Sequence, residues 1–373
     1  MFQKYIEKKY DFLRNEVTNK ILFKEKGELE YKKFDEINFN TTLIKLEKKG
    51  YKTTPNKLST FLYSNYVKSY DPFKEYFESL PKWDEKTDHI KLLSETINTT
   101  NDDYFQWCFK KWIVALVGCS YKEEITNQNV IIFSGGQGIG KTRWVRTLMP
   151  EKMKSYLFEG TIMPNDKDTK FYLADKFLIN MDELVSFGKA QNEFYKGLIT
   201  LEHIEQRRPY SREAIRLMRR ASLIAGTNNT EILTDLTGNR RYLCAEVIKI
   251  NPEHNIDMNK VYSQAYFLLQ NNFKFYFDSK DITRINEENK KYLQTPEEYD
   301  IIDELFELPN DNISSILMSA SEVLDYIKLH KKPHKNISVE QVGKALVSFG
   351  YKKVTKLKKY RLALKNQQFN IAS

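Results

Sequence analysis

The chain has little of what cross-links, threads or interrupts a fold. Its three cysteines, Cys108, Cys119 and Cys244, form no C-x-x-C pair and its five histidines are scattered, so neither a disulfide framework nor a zinc site is expected. Fourteen glycines and ten prolines in 373 residues exclude collagen-like and linker-rich architectures. The longest strongly apolar run, WIVALVG from Trp112 to Gly118, is far short of the ~20 residues a membrane-spanning helix needs. The opening MFQKYIEKKYDF has no signal-peptide core. These absences predict a soluble, cytoplasmic chain with no membrane partner. A hydrophobic content of 41% is ordinary for globular proteins, and the length suits two or three domains.

What the sequence does have is unevenly placed charge. Lys+Arg number 59 and Asp+Glu 50, a net charge of +9. From Lys328 to Lys365 twelve basic residues stand against one acid, Glu340. A second cluster, RRPYSREAIRLMRR from Arg207 to Arg220, holds six arginines and one glutamate. Arginine forks suit phosphate recognition. Two separate basic surfaces predict an extended anion as partner, namely DNA, single-stranded or forked.

The pattern along the chain divides it into an N-terminal mixed module (1–80), a helical lead-in (81–128), an α/β core (129–250), a polar helical connector (251–310) and a basic C-terminal domain (311–373). In the first, ILFKEKGELEYKKF reads as strand, and FNTTLIKLEKKG and PNKLSTFLYSNYVKSY as helix. Residues 102–118 read as a buried helix. Short apolar runs VIIFS, FLINM (177–181), SLIAG (222–226) and RYLCAEV (241–247), separated by helical pattern, predict a mostly parallel sheet. Ser319-x-x-Glu322 and Ser338-x-x-Gln341 have capping-box spacing and open two helices. Val342, Ala345, Leu346 and Phe349 share one face of the second. YKKVTKLKKYRLAL then reads as a basic hairpin, giving a winged-helix order in which Lys352, Lys353, Lys356, Lys358 and Lys359 face nucleic acid.

The chemistry concentrates after VIIFS. Gly135-Gly136-Gln137-Gly138-Ile139-Gly140-Lys141-Thr142 matches G-x-x-x-x-G-K-[ST] between a strand and a helix, the context that the phosphate-loop mechanism requires. The glycines turn backbone amides onto phosphates, Lys141 neutralises the β/γ oxygens and Thr142 offers its hydroxyl to Mg²⁺. The expected cofactors are ATP and Mg²⁺. FLINMDE ends a strand in Asp182, placed for the metal, and Glu183, placed to polarise water. Asn180 inside that strand is atypically polar. Gly226-Thr227-Asn228-Asn229 offers Asn228 as a water or γ-phosphate contact, with Asn229 or a plain turn as alternatives. Arg240 and Arg241 precede the last strand, where one could act on a neighbouring subunit's nucleotide.

In this order the motifs resemble the virulence-associated protein E family, ATPases of phages, plasmids and other mobile elements related to superfamily 3 helicases. The resemblance spans Pro72 to Val247 through DPFKEYFESLPKWD, GGQGIGKT, FLINMDEL, RRPYSR, AGTNN and TGNRRYL. It implies an AAA+-type core assembling as a ring, six subunits being favoured. It also implies Lys141, Thr142, Asp182 and Glu183 as the nucleotide site, Asn228 as sensor, and Arg240 or Arg241 as the trans finger. RRPYSR resembles the segment that forms a DNA-contacting hairpin, with Arg207, Arg208 and Arg212 as its cations. Many members carry a primase-like module, for which residues 1–80 are too short, so a separate primase or replication initiator is a possible partner. The expected activity is a DNA-dependent ATPase, a replicative helicase of a mobile element. The alternatives are an ATP-driven loader of DNA-bound complexes, a P-loop kinase using RRPYSRE as a lid, and a nucleotide-gated interaction protein.

Overall fold

The computed structural model describes residues 2–163, 169–181, 189–206, 214–233, 239–309, 315–331, 333 and 336–365. The chain separates into two compact units, residues up to Leu293 and residues from Gln294 onward. No helix among the described residues is long and apolar enough to cross a membrane.

The first unit is built on a six-stranded sheet. Its strands are Ile97–Thr99, Val130–Ser134, Leu157–Glu159, Leu178–Met181, Ser222–Thr227 and Tyr242–Ile250. Five run parallel, and Ile97–Thr99 closes one edge antiparallel to Tyr242–Ile250. If the parallel strands are counted in chain order from Val130–Ser134, their spatial order is 5-1-4-3-2. The mostly parallel sheet expected from the apolar runs is therefore present. The strand Leu157–Glu159 is an addition too short to register as an apolar run.

Burial on both faces explains the continuous apolar character of these strands. Ile131, Phe133, Leu178, Ile224 and Leu243 face one layer of the core, with the helices Asp102–Tyr121 and Met258–Gln270. Val130, Ile132, Ile179, Leu223 and Cys244 face the other, with the helix Lys189–Thr200. Met258–Gln270 lies in the segment read as a polar connector, yet Val261, Tyr262 and Ala265 are fully buried. Their spacing of one and four residues forms a stripe that the surrounding polar residues masked.

The N-terminal residues form a four-stranded sheet of Tyr10–Asn15, Ile21–Glu25, Lys32–Lys33 and Lys68–Tyr70, with helices Phe2–Lys9, Glu36–Lys48 and Pro55–Leu62. The helix read over PNKLSTFLYSNYVKSY stops at Leu62, and Lys68–Tyr70 joins the sheet instead. Asn15 donates to the Tyr156 hydroxyl at 2.6 Å, and Val17 packs in the main core.

A buried arginine fixes one layer to the sheet. Arg219 is 1% exposed, and its guanidinium donates to the carbonyls of Leu198, Ile199, Leu201, Ala221 and Asn127 at 2.5–3.4 Å. Three of these are the orphan carbonyls that end the helix Lys189–Thr200, where a cation is favoured. Burial lowers the Arg219 pKa from its ordinary value.

The second unit packs helix Glu297–Leu305 with helices Ala320–His330 and Val339–Ser348 around Ile302, Val323, Ile327, Val342, Ala345, Leu346 and Leu362. Strand Lys359–Leu364 pairs antiparallel with Phe306–Glu307, Ile316–Met318 and Lys353–Val354. Ser319 and Ser338 cap their helices in full capping boxes, the arrangement their spacing anticipates.

Arg219→Met removes a donor from five main-chain carbonyls, four of them in buried contacts, so it should destabilise the chain by about 3 kcal/mol or more. Arg219→Lys should recover less than half of that, because an ammonium cannot reach all five. Denaturant unfolding of both variants measures this, and wild-type stability in Arg219→Met would contradict it.

Candidate functional site

The parallel register places two strand ends together beside the middle of a third strand. Ser134 aligns with Thr227 on one side and with Glu246 on the other, so the glycine loop leaves the sheet directly beside Asn228. Gly135, Gly138 and Gly140 have φ of 145°, 78° and 100°, a region that side-chain-bearing residues rarely adopt. A Cβ on Gly135 would lie 2.7 Å from the Val247 carbonyl oxygen, and one on Gly140 3.2 Å from Pro252. The loop is thus pressed against the strand Tyr242–Ile250 and its continuation. Gly140 precedes the helix Lys141–Thr147.

Lys141 turns back over this loop. Its ammonium donates to the carbonyls of Gly135 and Gly136 at 2.8 and 2.9 Å and to Asn228 Oδ1 at 3.1 Å. The neighbouring Asn229 has a different task, since its Oδ1 accepts from Glu231 N and its Nδ2 donates to the Glu231 carbonyl. Of the two asparagines, Asn228 meets the loop lysine and Asn229 holds the turn. Around them lies a cavity of about 420 Å³, lined by residues 137–143, Arg146 and residues 226–228. The loop, the Lys141 ammonium and Thr142 thus surround one concave space, and a side chain at Gly135 or Gly140 would be driven into the strand Tyr242–Ile250 or Pro252.

Across the cavity, Arg146 Nε donates to both carboxylate oxygens of Glu159 at 2.9 and 3.0 Å. Glu159 also accepts from Asn180 Nδ2 at 3.5 Å. That accounts for the polar residue inside FLINM: Asn180 is 2% exposed and faces a carboxylate. Asp182 and Glu183, which follow this strand, lie outside the described residues. Sequence reasoning passed over Arg146 and Glu159; the signal available was Asn180, which needed a polar neighbour inside the sheet.

Arg240 and Arg241 occupy the other end. Tyr242 aligns with Val130 at the start of the loop strand, so both arginines lie at the sheet edge opposite the glycine loop. Four residue steps from Val130 to Ser134, roughly 13 Å, separate the two edges. Neither arginine reaches its own chain's Lys141. They border a separate cavity of about 400 Å³ with Asn129, Glu202, Phe275 and Tyr276, and Asn129 Nδ2 donates to the Arg240 carbonyl at 3.0 Å. His254 sits beyond the loop helix. Its Nδ1 accepts from Ile256 N at 3.3 Å and its Nε2 lies 2.8 Å from the Thr147 hydroxyl, and burial lowers its pKa.

The arginine-rich segment splits into two groups. His203–Gln206 and Ile215–Met218 form an antiparallel hairpin, and Arg207, Arg208 and Arg212 belong to its connection, outside the described residues. Arg219 and Arg220, counted with them as one basic surface, are instead structural. Arg220 pairs with Asp71 at 2.8 Å, both side chains nearly buried, and donates to the Ser120 carbonyl. Charge counting could not see that a core carboxylate and main-chain carbonyls would claim these two.

The C-terminal basic run is also partly neutralised. Lys331, Lys344, Lys359 and Lys365 pair with Glu304, Glu340, Glu322 and Asp303. Glu322, caught between its capping contacts and Lys359, is held down to about 2. Lys352, Lys353, Lys356 and Lys358 have no acidic partner among the described residues, and all four are exposed. Lys358, at φ 54°, turns the hairpin. Among the described residues no group of three or more His, Cys, Asp or Glu is arranged to hold a metal ion.

Fold and site together define a mixed α/β protein whose glycine loop and lysine line a cavity at one edge of a mostly parallel sheet. Residues 77–295 match the family model of the virulence-associated protein E-like domain, which is more than half of the chain, and the chain belongs to that family. Solved apo structures of the NrS-1 C-terminal region (305–718), one of them in an A form, are similar at 13% identity. The likeness covers 97% of this chain and 98% of that one, with a TM-score of 0.47. No curated protein matches.

Gly135→Ala should cost roughly 1–3 kcal/mol of stability through its positive φ and the Val247 clash. Gly136→Ala, whose Cβ would stand 3.6 Å from Ile139, should be nearly neutral. Equal denaturation midpoints for the two variants would contradict the loop geometry.

Proposed function

We propose that the chain is an ATP-hydrolysing motor acting on DNA, a ring-forming replicative helicase of a mobile element with an AAA+-type core. One observation carries this reading: Lys141 and Asn228 converge on the glycine-loop cavity while Arg240 and Arg241 stand at the opposite sheet edge. A finger that cannot reach its own site has a use only when copies meet edge to edge, as in a ring. Family membership and the sheet order, with the Asn228 strand between the loop strand and the strand preceding Asp182, support it.

In this reading Lys141 exchanges the Gly135 and Gly136 carbonyls for the β/γ-phosphate oxygens of ATP. Thr142 and Asp182 would hold Mg²⁺, which when bound supplies charge that offsets the phosphates. Glu183 takes the proton of the attacking water and Asn228 orients it. Arg240 or Arg241 contributes charge to the neighbour's transition state. The segment bearing Arg207, Arg208 and Arg212 contacts the DNA backbone inside the ring. The second unit acts as a winged helix, with Lys352, Lys353, Lys356 and Lys358 on duplex phosphates.

Lys141→Ala should abolish nucleotide binding, whereas Glu183→Gln should bind ATP and hydrolyse it at least 100-fold more slowly. Inactive Lys141→Ala mixed with an inactive Arg240→Ala or Arg241→Ala variant should regain part of the ATPase, because some interfaces then pair an intact site with an intact finger. Steady-state ATPase against mixing ratio measures this. Activity independent of protein concentration, with no recovery on mixing, rules out the ring.

Replacing Lys352, Lys353, Lys356 and Lys358 together by glutamine should spare basal ATPase and weaken duplex and forked DNA more than single strands. Each lost phosphate contact should flatten the salt slope by about 0.9 on duplex. Anisotropy titrations at several salt concentrations report this, and an unchanged slope on all three DNA forms returns the hairpin to a solvated face.

A further inference from the structure

We propose that Arg146 is the pocket residue that distinguishes a nucleoside triphosphate from a diphosphate, an assignment that rests on reading the glycine loop as a nucleotide site. Arg146 lies on the helix that the loop opens and lines the same cavity as Lys141 and Asn228. Glu159 occupies only its Nε edge. The two Nη groups have no partner among the described residues, and they form the outer fork of the guanidinium, the edge suited to a phosphate.

The anchoring of the pair separates it from an ordinary surface ion pair, which contributes little. Glu159 ends its strand in register with Asn180, Gly160 N donates to the Asn180 carbonyl at 3.1 Å, and the buried Asn180 amide reaches the Glu159 carboxylate. Burying an amide inside a parallel sheet is unfavourable unless it has a polar partner to meet. Here it steadies the carboxylate on which Arg146 rests, so that less side-chain freedom is lost when the fork meets an anion. The glycine amides serve the phosphates that both nucleotides share, and Lys141 bridges from the β- to the γ-phosphate. The additional phosphate of the triphosphate calls for a further cation, and of the two exposed arginines on the cavity wall Arg143 has an Nη turned to Glu253 at 2.7 Å, whereas Arg146 meets Glu159 through Nε and keeps its outer fork for a phosphate.

The test uses full-length protein and measures affinity for ADP and for a non-hydrolysable ATP analogue, both with Mg²⁺, by competition against a fluorescent nucleotide. Arg146→Met should weaken the triphosphate analogue about tenfold or more and ADP less than twofold. Arg146→Lys, which keeps the charge and loses the fork, should recover part of the difference. Equal losses for both nucleotides, or no loss for either, overturn the assignment of Arg146 while leaving the nucleotide reading intact. Wild-type protein that binds neither nucleotide, or Lys141→Ala that binds both normally, defeats the nucleotide reading and this assignment with it.

Discussion

The alignment of Ser134 with Thr227 and Glu246 across three parallel strands is the constraint from which the site follows. Because parallel strands share one direction, everything that follows a strand emerges on the same edge and everything that precedes one lies on the other. The glycine loop and Asn228 are exits and meet. Arg240 and Arg241 precede a strand and are excluded from that meeting. The glycine conformations are consequences of the same register: the loop turns against Val247 so tightly that a methyl at Gly135 has no room.

Arginine shows how little net charge says about location. Arg219 serves five main-chain carbonyls inside the core, and Arg220 is spent on Asp71 and Ser120. Both stand between the hairpin and the strand leading to Asn228, so the start of that strand is pinned to the helix Lys189–Thr200 and to the end of the helix Asp102–Tyr121. Main-chain carbonyls accept a buried guanidinium where no carboxylate is within reach. Such acceptors leave no mark in sequence.

The sheet strands, the capping boxes at Ser319 and Ser338 and the glycine loop were legible because each rests on local chemistry: apolar runs, side chains reaching three residues along, and φ that only glycine adopts readily. The strand Leu157–Glu159 was not, since three residues give no periodicity. The stripe of Val261, Tyr262 and Ala265 was hidden by polar neighbours. At the site, Lys141 and Asn228 could be named from motif and strand end. Glu159 and Arg146 could not, because their meeting depends on strand order, which a sequence pattern does not specify.

Asn180 carries this reasoning one step further. A valine or isoleucine there would suit a strand buried on both faces and would need no partner. The amide is tolerated because Glu159 lies in register beside it, and Glu159, exposed at the end of its strand, also holds Arg146. Removing the middle member would leave the buried amide without its carboxylate and release Arg146, which is exposed, into solvent. Local departures from the stable choice concentrate where a fold does work. This one joins the helix leaving the glycine loop to the strand leading to Asp182, the two elements that the proposed hydrolysis would have to coordinate.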